Sequence, residues 1–126
     1  MQNNKVYTVK EATERIQSFC AIQDRCQWEV EKKMKEWEIS DEIIENILTD
    51  LILDKFVDEQ RFSESFCRGK FRIKRWGKVK IKNELKIKKI SKNCIDKGLL
   101  QIENKEYIEV LKYLYIKKRN SLKDTN

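Results

Sequence analysis

Residues 30–48 read VEKKMKEWEISDEIIENIL, and residues 81–99 read IKNELKIKKISKNCIDKGL. Laid over each other with a shift of 51 residues, the two stretches keep one apolar frame. Val30 falls on Ile81, Met34 on Leu85, Ile39-Ser40 on Ile90-Ser91, Ile44 on Ile95 and Leu48 on Leu99. Carried outward, the shift brings Ile22 onto Ile73, Phe56 onto Tyr107 and Phe62 onto Tyr113. A repeated stripe with a repeated cap is the mark of a stacked helical unit, because each copy buries the same face against its neighbour. The unit is three helices long. The chain is therefore expected to hold a first repeat over 1–55, a second over 56–102, the first helix of a truncated third over 103–120, and a flexible tail over 121–126.

Composition agrees with an all-α fold. Proline is absent and only Gly69, Gly77 and Gly98 are glycine, whereas sheets recruit both residues for their turns. Helix starts recur along the chain. Thr8 and Glu11 form a capping box, Ser40 precedes the acidic pair Asp41-Glu42, and Ser91 opens the matching helix of the second repeat. The spacing predicts helices over Val9–Gln23 (Ile16, Phe19 and Cys20 inward), Gln27–Trp37 (Val30, Met34, Trp37), and from Asp41 (Ile43, Ile44, Ile47, Leu48, Leu51). A longer helix opens at Asp58, with Phe62, Phe66, Gly69, Ile73 and Trp76 as its buried stripe, and Gly77 breaks it. A fifth helix buries Ile81 and Leu85, and a sixth Cys94, Ile95 and Leu99. A seventh, from Asn104, carries Tyr107, Ile108, Leu111, Leu114 and Tyr115. Cys20, Cys26, Cys67 and Cys94 have no C-x-x-C spacing and there is no histidine. They read as reduced thiols of a cytoplasmic protein without a metal site.

Charge departs from the repeat. Residues 1–66 hold 9 basic and 15 acidic side chains, a net of −6; residues 67–126 hold 19 and 6, a net of +13. In register, Asp24 becomes Arg75, Glu29 becomes Lys80, Glu31 becomes Lys82, Glu38 becomes Lys89 and Asp41 becomes Lys92. The scaffold does not require positive charge at these places, since the first repeat does without it. Arg68, Arg72 and Arg75 form one helical stripe, Lys78, Lys82, Lys86 and Lys89 another, with Lys70, Lys74 and Lys80 beside them. Like charges at such spacings repel by ~0.2–0.5 kcal/mol per pair, and a polyanion relieves that cost by releasing counterions. The stripes therefore read as a surface for phosphate backbone, single- or double-stranded and independent of sequence, or for an acidic partner. Trp76 has the alternative of stacking on a base, though a Trp on an apolar stripe reads first as core. An enzyme is disfavoured by the lack of histidine, of a Gly-rich phosphate loop and of a nucleophile elbow.

The stretch Asp58-Glu59-Gln60-Arg61-Phe62-Ser63-Glu64-Ser65-Phe66, followed by Arg68, Trp76-Gly77, Ile81, Glu84-Leu85 and Lys89-Ile90, resembles the signature of the RecX family. The resemblance implies a crescent of tandem three-helix repeats that binds the filament of the RecA recombinase on DNA and dampens ATPase and strand exchange. The chain is read as a monomer without a cofactor, and no apolar run approaches membrane-spanning length. Asp58, Arg61, Phe62, Phe66, Gly77, Leu85 and Ile90 are then motif residues with structural roles: Phe62 and Phe66 as core, Asp58 as a cap. The departures are a third repeat that stops after one helix and Ser63 where a small alanine is usual.

Overall fold

The computed structural model describes residues 6–102 and 104–124. The described residues are helical: α1 (Val9–Ile22), α2 (Gln27–Glu36), α3 (Asp41–Leu53), α4 (Glu59–Arg72), α5 (Lys78–Ile87), α6 (Lys92–Leu99) and α7 (Asn104–Asp124). Helical backbone thus continues through the stretch expected as tail, up to Asp124. Lys and Leu are good helix formers, and no Pro or Gly interrupts them there.

Contacts divide the chain inside α4: residues up to Phe62 go with the first three helices, and Ser63 onward with α5–α7. The division falls there because the first turn of α4 is tied to the first unit. Arg61 Nε donates to Asp24 Oδ1 at 2.8 Å, and Arg61 Nη2 donates to the carbonyls of Lys55 and Phe56 at 3.1 and 3.3 Å. Glu59 Oε2 accepts from Gln27 N at 3.3 Å. Asp58 Oδ1 accepts from Arg61 N at 2.9 Å and caps the helix, as expected.

Each unit repeats the other in detail. In the first, Ala12, Ile16 and Cys20 of α1 pack with Val30 and Met34 of α2 and Ile44, Ile47, Leu48 and Leu51 of α3. In the second, the buried residues of α4, α5 and α6 are Ser63, Cys67 and Phe71, then Ile81 and Leu85, then Ile95 and Gly98. Every one of these lies 51 residues after a buried residue of the first unit. The turns repeat as well. Glu38 and Lys89 both take φ 59°, a left-handed conformation that ends a helix, and Ile39 N and Ile90 N bond back to Met34 O and Leu85 O at 3.3 and 3.1 Å. Ser40 and Ser91 occupy matching N-caps, but only the Ser91 hydroxyl accepts a cap bond, from Cys94 N at 3.2 Å.

This register corrects the expected stripe of α4. Phe62 is buried, but Ile73 is 79% exposed, matching its counterpart Ile22 at 77%; Phe66, Gly69 and Trp76 are only partly buried. The inward face is Ser63–Cys67–Phe71. Gly77 does not break α4, which ends at Arg72 with Arg75 at φ 59°; Gly77 is the N-cap of α5. Gly98 is where close approach matters. A methyl group there would collide with Ser63 Oγ and lie 2.9 Å from Cys67 Sγ and from the Ser63 carbonyl. Ser63, buried and polar, donates to Cys94 O at 2.7 Å, so the hydroxyl that replaces alanine is satisfied. On α7, Val110 is buried, whereas Ile108, Leu111 and Tyr115 are exposed. The four cysteines are free thiols: Cys20, Cys26 and Cys67 buried, Cys94 partly so. Burial pushes the Cys67 thiol up to about 11, which keeps it neutral and unreactive.

Candidate nucleic-acid and partner-binding face

The basic residues singled out from sequence all lie in the second unit, and the structure sorts them by what each cation touches. Arg68, partly buried, donates from Nη1 to Gln101 Oε1 at 3.0 Å. Arg72 Nε pairs with Glu106 Oε2 at 3.5 Å. Lys78 Nζ stands 4.5 Å from the centroid of Tyr107, whose ring lies 6.2 Å from that of Phe71. These three fasten the end of α6 and the start of α7 as well as adding charge. The pairs Arg72–Glu106 and Lys78–Tyr107 are exposed enough that each contributes little to stability, about 0–1 kcal/mol. Lys74, Arg75, Lys86 and Lys89 are exposed; Lys82 is partly buried beside the Ile81–Leu85 stripe.

Lys70 and Lys80 converge on aromatic rings. Lys70 Nζ is 5.4 Å from the Phe66 centroid and 5.0 Å from that of Trp76; Lys80 Nζ is 4.4 Å from Trp76. The two rings meet edge to face at 6.3 Å and 69°. A bond from Trp76 N to Lys70 O, 3.0 Å, holds the turn after α4 in place beneath them. Sequence spacing along α4 did not find this cluster, because Trp76 lies beyond the helix end and Lys80 on the next helix.

The start of α5 is built unlike the start of α2. In α2, Glu29 at the third position accepts from Cys26 N at 3.2 Å. The third position of α5 is Lys80, no acid stands in its first turn, and no side chain caps it. Placing cations at the positive end of a helix dipole costs about 0.3–1 kcal/mol, and a missing cap about as much again.

The opposite charge sits in the first unit. A groove of about 440 Å3 between α2 and α3 is lined by three acids, Glu31, Asp41 and Glu45, one cation, Lys35, and the apolar Ile44, Leu48 and Ile52. In the second unit the counterparts of Glu31 and Asp41 are Lys82 and Lys92. Glu59, beside Glu29, Asp58 and Glu31, has its carboxyl raised, chiefly by burial, against the lowering effect of its bond from Gln27 N; the neighbouring acids add to the rise. Among the described residues, no group of His, Cys, Asp and Glu is arranged to hold a metal, and no helix is long and apolar enough to cross a membrane.

Comparison with known proteins places this architecture. The family profile described as RecX, second three-helix domain, matches residues 58–99. The regulatory protein RecX of Clostridium acetobutylicum is 34% identical over 113 residues, covering 88% of this chain and 52% of that protein. A crystal structure of regulatory protein RecX superposes with a TM-score of 0.79 at 27% identity, over 86% of this chain and 55% of the other. That of RecX from Lactobacillus salivarius gives 0.76 at 23% identity, over 92% and 75%, and speaks for the fold alone. The chain thus spans about half the length of the first two relatives. In its repeats, its buried register and its signature stretch, the chain is similar to the RecX family of regulatory proteins.

Proposed function

We propose that this chain binds the RecA–DNA filament and lowers the recombinase's ATPase and strand-exchange rates, with the second unit supplying the contacts to phosphate. The name shared by its relatives, regulatory protein RecX, supports a regulatory role. The observation that carries the phosphate part is the reversal of charge on a fixed frame. Where the first unit has Glu31, Glu38 and Asp41, the second has Lys82, Lys89 and Lys92, while the buried residues keep their register. Folding alone gives no reason for the change. Solubility accepts either sign. A polyanionic partner accepts only one, and pays back the repulsion among the lysines through counterion release.

Contacts of this kind position a protein along a backbone without reading bases, which suits a filament that covers any sequence. The acids lining the α2–α3 groove are then left to address protein rather than DNA. The test is recombinase ATPase on single-stranded DNA, with and without this protein, across a salt series. Inhibition that fades steeply as salt rises is expected. ATPase that stays unchanged at low salt contradicts the proposal. Sedimentation with naked DNA and with filament separates this reading from that of a general nucleic-acid binder, which predicts equal affinity for both.

A further inference from the structure

The corner where α4 turns into α5 has a counterpart in the first unit, where α1 turns into α2. In the first unit, Arg25 lies over Phe19, its guanidinium 3.8 Å from the ring centroid, and Arg25 Nε donates to Phe19 O at 3.1 Å. Phe19 in turn packs against the unit's core. In register, Phe19 becomes Lys70 and Arg25 becomes Trp76, so the cation and the aromatic have exchanged places. Arg15 becomes Phe66, and Glu29, which closes the start of α2, becomes Lys80. The first unit shows what packing and capping ask of this corner: an aromatic turned inward, an arginine laid over it and an acid on the helix start. The second unit sets a partly buried aromatic at the tip of the turn, adds a second aromatic, and brings two lysines onto them at 4.4–5.4 Å. It does so without the acid that its helix start would use.

From this geometry we infer that Trp76, with Phe66 at its edge and Lys70 and Lys80 on its flanks, is a stacking platform for an unpaired nucleic-acid base. A partly exposed indole offers a π-face to any base, which gives stacking without sequence preference. The ammonium groups that now rest on the rings are mobile at the ends of four-carbon stems. A base that takes their place on Trp76 leaves them on the phosphates at either side of its sugar. Phosphate there also meets the uncapped amides at the start of α5, so that one nucleotide satisfies both halves of the corner. Trp76 thereby favours strands whose bases are free over paired duplex, which the lysine stripes alone do not distinguish. The inference rests on the reading that the second unit meets nucleic acid, and the experiment separates the two.

A protein with Trp28→Phe and Trp37→Phe leaves Trp76 as the sole indole. It is titrated at modest salt with a short oligothymidylate and with an abasic oligonucleotide of equal length and charge. Quenching of Trp76 by the thymidylate and not by the abasic strand is expected, with about ten-fold tighter binding of the former. Trp76→Leu is expected to abolish that preference at unchanged helicity, and Trp76→Tyr to keep most of it. Equal affinity for both strands with no quenching overturns the stacking role alone. Binding of neither strand overturns the nucleic-acid reading of the second unit together with it.

Discussion

The two units of this chain share one frame and differ in what it carries. Residues 12, 16, 20, 30, 34, 44 and 47 are buried in the first, and the residues 51 positions later are buried in the second. Yet one has a groove lined mainly by carboxylates among its charged groups and the other a surface of lysines and arginines. The difference teaches where selection for folding ends. Inside, the substitutions keep close packing: Ile47 becomes Gly98, and the α4 residues Ser63 and Cys67 lie directly against it. Outside, Glu29, Glu31 and Glu38 become lysines while a single acid is gained between them, Glu84 in the place of Lys33, and a helix cap is given up in the process.

The comparison breaks most sharply at Gly98. Its counterpart is a buried isoleucine, but Gly98→Ala drives a methyl group onto Ser63 Oγ, Cys67 Sγ and the Ser63 carbonyl. We expect a loss of about 1–3 kcal/mol in urea unfolding, the usual range for overpacking. Ile47→Val, a change of similar size in the first unit, should cost only about 0.5–1.5 kcal/mol. Equal losses would mean that the two units do not pack by the same register.

A smaller effect sharpens the contrast at the helix starts. Lys80→Glu gives α5 the acid that α2 has, and should stabilise the second unit by about 0.5–1 kcal/mol while weakening binding to DNA or filament. Glu29→Lys, the converse change, should destabilise by about 0.5–2 kcal/mol. A Lys80→Glu protein that melts lower than the parent would show that Lys80 is there for the fold.

The smallest effect concerns pH. Burial raises the Glu59 carboxyl above the usual glutamate range, so the fold favours its protonated form. That stabilisation is present below the ordinary glutamate pKa and is lost as pH rises through the raised value. Glu59→Gln, neutral throughout and still able to accept from Gln27 N, should remove this loss, so that melting temperature falls less between pH 4 and pH 7 than in the parent. An unchanged pH profile would show that Glu59 is not responsible.

Much of this was legible in the sequence, and the failures are specific. The repeat, most helix limits (though not the end of α4 at Arg72 or of α7 at Asp124) and the Ser91 cap follow from periodicity and from hydroxyl placement. The face of α4 was misread because Phe62, Phe66 and Trp76 drew the stripe toward aromatic residues. The true face is Ser63–Cys67–Phe71, whose small members serve close approach to Gly98 and carry little hydrophobic signal. Carrying Ala12, Ile16 and Cys20 through the same shift of 51 residues finds it. On α7, Val110 rather than the more conspicuous Leu111 and Tyr115 is buried. The basic stripes were visible, but their internal partners Gln101, Glu106 and Tyr107 were not, since α4 and α5 meet these only after the chain has folded back.

The central claim is that the basic surface is an addition to the scaffold. It is tested most directly by restoring the charges of the first unit in the second: Lys82→Glu, Lys89→Glu and Lys92→Asp, the residues found at 31, 38 and 41. Binding of the triple variant to RecA–DNA filament is measured at modest salt, alongside its thermal unfolding. The account predicts that helicity and melting temperature stay close to those of the parent while filament binding is lost. Binding that survives the exchange, or a protein that no longer folds, would contradict it.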